Sequence, residues 1–334
     1  MPGAERDEKP GVSVVLPVLN EERHLSDAIG SILDQDYAGP LEVVLALGPS
    51  TDRTDAIASR LAAADGRVRT VPNPTGRTPE GLNAAIAASS FPIVARVDGH
   101  SELPRDYLRT AVELLERTGA DNVGGLMWAE GVTDVEKAIA CAMTSKLGVG
   151  NARFHVGGEE GPADTVYLGV FRRTALERVG GYDASFARAQ DWEMNFRIRE
   201  SGGLVYFTPA LRVSYRPRLS LRALAGQYFH YGRWRREVMR EHPESVNLRY
   251  LAPPVAVVGF TGGVVAGAAG VSWAWVLPGG YAALVVAGAL VIGRRLPLQS
   301  QLVLPAVLAT MHGAWGAGFL TSIRTRKSTR PDQR

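Results

Sequence analysis

Ile93-Val94-Ala95-Arg96-Val97-Asp98-Gly99-His100 has the pattern of a buried strand that ends in a turn. Apolar residues surround a single arginine, and an apolar run that stops at Asp-Gly is typical of such a strand end. Two side chains that can bind a metal ion, Asp98 and His100, directly follow the predicted strand. Ligands of open α/β sheets bind beyond the carboxyl ends of the strands. The chemistry of the protein is therefore predicted to lie here.

Strands and helices alternate around this stretch. The predicted strands are Val12–Val18, Leu41–Leu47, Val68–Pro72, Ile93–Val97, Asn122–Trp128 and Thr165–Phe171. The predicted helices are Leu25–Gln35, Thr54–Ala64, Glu80–Ala88, Val135–Leu147 and Arg173–Val179, with one more from Pro104 and another after Asp191. Strands separated by helices of about ten residues predict βαβ units and a parallel sheet. The later strands make the predicted fold a mixed α/β fold. A polar, glycine-rich loop is predicted at Gly148–Ala163.

The composition limits the class of protein. The chain has 334 residues, enough for one large domain or two ordinary ones. Its 37 basic and 34 acidic residues nearly balance, but many arginines and a single acid, Glu237, lie between Arg212 and Arg240. The one cysteine, Cys141, excludes an intramolecular disulfide and fits a reducing compartment. Residues 1–10 are polar, so no secretory signal peptide is expected.

Three apolar segments occupy the carboxyl-terminal part of the chain, at Leu251–Val271, Val276–Ile292 and Leu302–Ile323. Each approaches the roughly 20 residues that a helix needs to cross a bilayer. Their glycine and alanine content suits close helix packing in lipid. The segments therefore predict about three transmembrane helices. The alternative is the buried helical core of a soluble domain.

Leu219–Glu241 directly precedes these segments and mixes Leu, Tyr, Phe and Trp with five arginines. A basic amphipathic helix at this place is predicted to lie in the lipid headgroup layer. Anionic lipids would hold it there by about 1 kcal/mol per basic residue. The alternative is an ordinary solvated helix face.

The basic tail, residues 324–334, complicates the topology. If the amino-terminal domain is cytoplasmic, three spans place Arg294 and Arg295 inside but the tail outside, against the positive-inside tendency. One segment is therefore a candidate for a re-entrant or interfacial helix. The third, with Pro305 and the glycine-rich stretch His312–Phe319, is the best candidate.

Several short motifs resemble, in order and spacing, those of the family 2 glycosyltransferases, which have the GT-A fold. They are Val14-Val15-Leu16-Pro17-Val18-Leu19-Asn20-Glu21-Glu22, Ser50-Thr51-Asp52-Arg53-Thr54, Gly81-Leu82-Asn83-Ala84, Asp98-Gly99-His100, Phe171-Arg172-Arg173, Val179-Gly180-Gly181-Tyr182-Asp183 and Gln190-Asp191-Trp192-Glu193. The resemblance covers residues 12–217. It implies a Rossmann-like GT-A catalytic domain with a mostly parallel mixed sheet, followed by carboxyl-terminal transmembrane helices.

Within that family, four features are most similar to bacterial membrane glycosyltransferases of succinoglycan-type exopolysaccharide synthesis. They are Arg96-Val97-Asp98-Gly99-His100, Asp164-Thr165-Val166, Asp191-Trp192-Glu193 with Asn195, and Gln227-Tyr228-Phe229 leading into membrane helices.

The resemblance implies a nucleotide-sugar donor, with a UDP-sugar favoured. The implied donor-binding residues are Pro17, Asn20, Glu22, Asp52, Asn83 and Asp98. Asp98 and His100 stand where the family has its Asp-x-Asp metal motif, and a cation held there would neutralise the departing diphosphate. Mn²⁺ or Mg²⁺ is expected, and imidazole suits Mn²⁺ better. The alternative for Asp98 and His100 is a plain turn.

Asp191 stands where the family has its catalytic acid pair. The resemblance implies that it is the general base that takes the proton of the acceptor hydroxyl. A base on the face opposite the diphosphate inverts the anomeric centre. The alternative is an N-cap for a helix Trp192–Glu200. Contacts with the acceptor or the sugar are expected from Asp164, Trp192, Glu193, Gln227, Arg233 and Trp234.

Leu47-Gly48-Pro49-Ser50 departs from the family pattern, which usually reads Asp-Asp-Gly-Ser at this strand end. One of those acids commonly contacts the nucleobase. Both are missing here and Asp52 remains, so the resemblance does not carry a base preference over to this chain.

The sequence thus predicts a membrane-anchored, metal-dependent, inverting glycosyltransferase. Its expected parts are a GT-A domain (1–217), an interfacial helix (218–245), transmembrane helices (246–323) and a basic tail (324–334). A multi-pass protein of the plasma or inner membrane is expected, with a cytoplasmic catalytic domain, a saccharide or lipid-linked acceptor and no nucleic-acid partner. Two alternatives stay open: a sugar transferase that acts on polyprenyl phosphate, and a catalytically silent GT-A scaffold in polysaccharide assembly.

Overall fold

An interior strand of the sheet, Val12–Val18 (β1), is buried at all seven positions in the computed structural model, which describes residues 9–322. An apolar strand buried on both faces is typical of the interior of a parallel sheet. The other strands are Leu41–Leu47 (β2), Val68–Pro72 (β3), Ile93–Arg96 (β4), Asn122–Ala129 (β5), Gly161–Pro162 (β6), Tyr167–Arg172 (β7) and Val205–Tyr215 (β8).

The helices follow the strands closely along the chain. In order they are Leu25–Leu33 (α1), Thr54–Ala64 (α2), Thr78–Ala88 (α3), Tyr107–Thr118 (α4), Asp134–Met143 (α5), Lys146–Val149 (α6), Arg153–Val156 (α7), Arg173–Val179 (α8), Gln190–Glu200 (α9), Leu221–Glu241 (α10), Ala252–Ala268 (α11), Val276–Ile292 (α12) and Leu298–Leu320 (α13).

The strands form one sheet in the order β3-β2-β1-β4-β7-β5-β8-β6. β1 pairs in parallel with β2 and β4, and β2 pairs in parallel with β3. β7 is antiparallel to both β4 and β5, and β6 is antiparallel to β8. The prediction of a mostly parallel, mixed sheet with helices is therefore confirmed.

Helices cover both faces of the sheet. On one face Leu16 of β1 lies in an apolar cluster with Ile29 of α1. On the other face Val15 lies in a second cluster with Leu82 of α3 and Ile198 of α9. Neighbouring residues of a strand point to opposite faces, so β1 contributes to both clusters.

The parallel strands place three loops at one edge of the sheet. β1, β2 and β4 end at Val18, Leu47 and Arg96, and their carboxyl ends share a direction. The loops that follow them carry most of the polar motifs of the sequence. This edge is where the candidate site is built.

Three regions differ from the predicted elements. The loop expected at Gly148–Ala163 contains the short helix α7 and the two-residue strand β6. A single helix Val135–Leu147 was expected, but the helix breaks at Thr144 and Ser145, and Ser145 caps the short α6. The long strand β8 was not predicted at all. Its residues Val205 and Phe207 are buried on the inner face, whereas Pro209 interrupts the apolar pattern.

Residues 128–157 and 215–322 form a second compact unit, and residues 9–127 with 158–214 form the first. In the second unit three helices are long and apolar enough to cross a membrane: Leu248–Ala268, Ser272–Ile292 and Leu298–Leu320. The predicted basic tail, residues 324–334, lies outside the described residues.

Candidate active site

The loops after β1 and β2 are joined by hydrogen bonds. The Thr51 amide donates to Asn20 Oδ1 at 2.8 Å, and the Glu21 amide donates to Thr54 Oγ1 at 2.8 Å. Asn20 has a φ of 56°, a left-handed conformation that asparagine adopts more readily than most residues. This turn brings the residues after Asn20 over the sheet edge.

Asp52 strengthens the same junction. Its Oδ1 accepts from the Thr54 amide at 3.0 Å, and its Oδ2 accepts from the Glu22 amide at 3.2 Å. Burial raises the pKa of Asp52, but these hydrogen bonds outweigh it and leave the pKa below its ordinary value. Both carboxylate oxygens of Asp52 therefore accept hydrogen bonds from backbone amides of the two loops. The predicted contact of Asp52 with a donor stays a prediction.

His100 lies beside Glu21, with Nδ1 3.0 Å from Glu21 Oε1. Glu21 is buried, and His100 is partly exposed. Gly99 permits this approach, because a Cβ there would lie 3.0 Å from Glu21 Cγ. A carboxylate that bonds to one ring nitrogen fixes the orientation of the imidazole, so the other ring nitrogen points away from that carboxylate.

Arg96 lies between the two acids that the motifs single out. Its Nη2 donates to Asp98 Oδ1 at 3.1 Å, and its Nη1 forms an ion pair with Asp191 Oδ1. Arg96 is buried, which lowers its pKa, but the charge of Asp98 raises it above the ordinary value overall. One buried cation thus joins the end of β4 to the first turn of α9.

Asp191 is not the N-cap of its helix. α9 begins at Gln190, and its N-cap is Ala189, which makes no side-chain cap hydrogen bond. The N-cap alternative for Asp191 is therefore wrong. The carboxylate lies in the first turn, where the helix dipole favours a negative charge.

A buried chain of amides positions α9. Asn122 Nδ2 of β5 donates to Asn195 Oδ1 at 2.6 Å, and Asn195 Nδ2 donates to Thr165 Oγ1 at 2.8 Å. Buried polar groups of this kind persist when they satisfy one another. The bonds tie the helix that carries Asp191 to the sheet and to the loop before β7.

The two residues after Asp191 face the protein interior. Glu193 is 1% exposed and pairs through both oxygens with Arg197, at 2.5 and 2.7 Å. Trp192 is buried and stacks on Phe196 with ring centroids 5.4 Å apart. These contacts favour a structural role for both side chains, and their predicted acceptor contacts stay predictions.

Asn83 holds the loop that contains Tyr182. Asn83 Nδ2 donates to the Tyr182 carbonyl at 2.7 Å, and the Tyr182 amide donates to Asn83 Oδ1 at 2.8 Å. Burial raises the pKa of Tyr182 to about 12, and the charges of Arg96 and Asp98 act on it in opposite directions. Its buried hydroxyl has no hydrogen-bond partner within residues 9–322.

The other predicted residues are more scattered. Pro17 is buried within β1, and Asp164 is exposed in the loop between β6 and β7. Gln227, Arg233 and Trp234 belong to α10 in the second unit. There Gln227 Nε2 donates to the hydroxyls of Tyr215 and Tyr231 at 2.9 and 2.8 Å.

The strand end after β2 does not offer the acids that the family usually has. The Gly48 amide donates to the Val18 carbonyl at 2.8 Å, and a Cβ at Gly48 would lie 3.1 Å from Gly76 Cα. Gly48 therefore sits at a tight crossing of backbones, where a larger side chain would require the loop to move.

The donor set suits a metal ion that is shared with a ligand. Within residues 9–322 no three His, Cys, Asp or Glu side chains are arranged to hold a metal ion. Asp98 and His100 supply one carboxylate and one imidazole from the same turn. Mg²⁺ and similar ions that act on phosphates commonly take one or two protein ligands and complete their shell with phosphate oxygens and water. These residues fit such a site.

Two residues of this site were missed as functional candidates. Arg96 was noted as the single arginine of its strand, yet its two partners are Asp98 and Asp191, the acids that the motifs single out. Glu21 stood inside the first motif between Asn20 and Glu22 but was not singled out.

Comparisons with known proteins show the family of this chain. The family model described as glycosyl transferase family 2 matches residues 13–180. The succinoglycan biosynthesis protein ExoA of Rhizobium meliloti is 34% identical over 312 residues, which cover 92% of this chain and 93% of that protein. A relative from Methanococcus voltae is 23% identical over a region that covers 66% of this chain and 71% of that protein. It is named dolichyl N-acetyl-alpha-D-glucosaminyl phosphate 3-beta-D-2,3-diacetamido-2,3-dideoxy-beta-D-glucuronosyltransferase.

The fold has a counterpart among solved structures. The mannosyltransferase PcManGT from Pyrobaculum calidifontis, in complex with GDP-Man and Mn²⁺, superposes with a TM-score of 0.61 at 20% identity, over 95% of this chain and 88% of that one. The two chains therefore share the GT-A fold. Together, the family model over half of the chain and the similarity to ExoA over nearly its whole length show that this protein belongs to glycosyltransferase family 2.

Proposed function

We propose that this chain is a membrane-anchored, inverting, metal-dependent glycosyltransferase that moves a sugar from a nucleotide-sugar donor to a lipid-linked saccharide in cell-surface polysaccharide synthesis. The observation that carries the proposal is the arrangement around Arg96. Two carboxylates from distant parts of the chain, Asp98 and Asp191, meet one buried guanidinium at the edge of the sheet. This edge is where open α/β sheets bind ligands.

Asp191 is the proposed general base. Its carboxylate is 38% exposed on the first turn of α9, so an acceptor hydroxyl can reach it. An adjacent cation and a helix amino terminus both favour the ionised carboxylate. Asp191 is therefore ready to accept a proton at neutral pH while the anomeric carbon is attacked from the face opposite the diphosphate.

Arg96 is the proposed positioning residue. A guanidinium presents its donors in a rigid plane and can serve two carboxylates at once. Its contacts with Asp98 and Asp191 fix the distance between the donor side and the acceptor side of the site. Positioning of this kind matters because small displacements of reacting groups cost large factors in rate.

Asp98 and His100 are the proposed metal ligands, with Glu21 orienting the imidazole. A bound divalent cation neutralises negative charge on the departing diphosphate. Mn²⁺ is the favoured ion, because the solved neighbour with the same fold is described in complex with GDP-Man and Mn²⁺. The buried Tyr182 hydroxyl is a further polar group near these charges that a donor can engage.

The acceptor side of the proposal rests on the membrane helices and on the relatives. ExoA is named for succinoglycan biosynthesis, and the Methanococcus relative is named for a dolichyl-linked substrate. A saccharide carried on a membrane lipid fits a chain with helices long and apolar enough for a bilayer. We place the catalytic part, residues 1–217, on the cytoplasmic side, where nucleotide sugars are available.

A donor panel tests the proposal. Membranes that contain the protein are incubated with Mn²⁺ and each of a set of UDP-, GDP-, dTDP- and CMP-sugars, and release of the nucleotide is measured with transfer of the labelled sugar to the lipid extract. The proposal expects one donor to support both nucleotide release and sugar transfer, and it expects chelation of Mn²⁺ to stop both reactions. No turnover with any donor in the presence of native lipids would favour a catalytically silent scaffold instead.

A further inference from the structure

The last apolar helix, α13, differs from the two before it. Its mean hydropathy of 1.3 is below the 1.6 of Leu248–Ala268 and the 1.9 of Ser272–Ile292. A third of its most apolar window is buried inside the protein, compared with 11% and 17% for the other two. A helix that faces lipid on most sides has little of its surface buried against the rest of the protein.

The amino-terminal part of α13 lies against α5, and its middle lies against α6. Ser300 is fully buried, and its Oγ donates to Asp134 Oδ1 at 2.8 Å. Farther along the helix, His312 Nε2 lies 2.8 Å from the Leu147 carbonyl oxygen. These partners belong to the segment 128–157, which precedes every apolar helix in the sequence.

The carboxyl-terminal end of α13 is capped by α10. Arg236 Nη1 donates to the carbonyls of Phe319 and Leu320, both at 2.8 Å, and Arg240 Nη2 donates to the Ser322 carbonyl at 2.9 Å. The last carbonyls of a helix have no partners within it, and basic side chains satisfy them. This end of α13 is therefore held among charged side chains.

The two ends of α13 are too far apart to share one membrane face if the helix crosses. Ser300 and Ser322 are separated by about 33 Å at a rise of about 1.5 Å per residue, and the hydrocarbon layer is about 30 Å thick. Their partners, Asp134 and Arg240, both precede the first apolar helix. Within residues 9–247 no helix is long and apolar enough to cross, so both partners lie on one side.

We infer that α13 does not cross the bilayer but lies along the membrane surface on the side of the catalytic domain, while α11 and α12 form the crossing pair. In this arrangement lipid contacts the exposed face of α13. Leu298 and Leu302 are 70% and 72% exposed, and Ala306, Ala309 and Leu320 continue the same exposed face. An apolar stripe of this length embeds in the acyl boundary when a helix lies in the interface.

The charges of the sequence support this topology. Arg294 and Arg295 follow the crossing pair and return to the side of the catalytic domain. The basic residues after Ser322 then begin on that side as well. Every cluster of arginines in the carboxyl-terminal part thereby obeys the positive-inside tendency, which three spans would break. The inference does not depend on the proposed glycosyl transfer.

Cysteine labelling in sealed vesicles tests the inference. Single cysteines are placed in a Cys141→Ser background at Ala64→Cys in the catalytic domain, Ser272→Cys between α11 and α12, and Ser328→Cys in the tail. A membrane-impermeant maleimide is applied to vesicles of each orientation. The inference expects Ala64→Cys and Ser328→Cys to react from one side and Ser272→Cys from the other.

Two other labelling patterns would overturn it. Reaction of Ser328→Cys and Ser272→Cys from the same side, opposite to Ala64→Cys, would show that α13 crosses. Reaction of all three from one side would show that α11 and α12 do not. As a second measurement, nitroxides at Leu298→Cys, Ala309→Cys and Leu320→Cys should report equal depth, whereas a crossing helix would place Ala309→Cys far deeper than the other two.

Discussion

Arg96 and Asp191 form an ion pair between the end of strand β4 and the first turn of helix α9. The same guanidinium bonds to Asp98 at 3.1 Å. The contact is buried on the arginine side and partly open on the Asp191 side. The two motifs that the family resemblance marks as donor and acceptor chemistry are therefore coupled through one cation.

Replacement of Arg96 should slow the reaction more than it weakens donor binding. Arg96→Gln should lower kcat by about 100-fold, on the scale of lost general-base positioning, with a smaller change in the KM of the donor. Loss of the cation should also move the acidic limb of the kcat–pH profile to higher pH. Steady-state kinetics between about pH 5 and about pH 9 would measure both the fall in kcat and the shift of the acidic limb.

Arg96→Lys separates charge from geometry. Lysine keeps the charge but lacks the planar fork, so kcat should fall by about 10-fold while the pH profile keeps its position. Arg105→Gln, which removes an exposed arginine paired with Asp34, should change neither. An unchanged kcat in Arg96→Gln would contradict the positioning role.

Glu21 should affect the metal requirement through His100. Glu21→Gln removes the carboxylate that orients the imidazole, and partners of this kind are worth about 10- to 100-fold in metal affinity. The Mn²⁺ concentration for half-maximal activity should rise by that factor in Glu21→Gln and in His100→Ala. Glu102→Gln changes an exposed carboxylate two residues beyond His100 and should leave the Mn²⁺ dependence unchanged. An unaltered dependence in His100→Ala would remove His100 from the metal site.

Asp52 should contribute stability that depends on pH. The pKa of Asp52 in the fold lies below its ordinary value of 3.8, so its contribution is present above about pH 4 and is lost as the pH falls through the lower folded pKa. Asp52→Asn should lower stability by about 1 kcal/mol at pH 7, with a difference that shrinks towards pH 3, where the carboxylate begins to be protonated. Thermal unfolding in detergent at several pH values would show it. Asp34→Asn, at an exposed position, should show no such trend.

Because α10 packs closely on α13, alanine substitutions at two glycines of α10 should have different effects on stability. A Cβ at Gly232 would overlap the Trp315 carbonyl, whereas a Cβ at Gly226 in the same helix meets nothing within 4 Å. Gly232→Ala should destabilise the protein by about 1–3 kcal/mol, and Gly226→Ala should be neutral or stabilise it by up to about 1 kcal/mol. Melting temperatures in detergent compare the pair. Equal effects would mean that the two helices do not pack as described.

The first three parallel strands could be predicted from the sequence because their pattern is local. Val12–Val18, Leu41–Leu47 and Val68–Pro72 have the bounds that their apolar runs predict. β8 could not be predicted in the same way, since Pro209 lies within it and a proline weakens the signal of a strand. Its burial comes from neighbours that the chain contributes from elsewhere.

The candidate site was predictable in its motifs but not in its contacts. Asp98 and Asp191 were expected to act in one site, yet their common partner Arg96 emerges only when α9 packs beside β4. The bond between Glu21 and His100 likewise depends on the left-handed turn at Asn20. Such pairings follow from tertiary packing, which single-sequence patterns do not specify.

The central claim is that Asp191 takes the proton of the acceptor. With the donor identified by the panel, sugar transfer and donor binding are measured side by side for the unaltered protein, for Asp191→Asn and for Glu200→Gln at the exposed end of the same helix. The account predicts that Asp191→Asn loses transfer by 100-fold or more, on the scale of about 10²–10⁴ for a general base, and binds the donor as before, while Glu200→Gln does both normally. Transfer by Asp191→Asn at the unaltered rate would contradict the account.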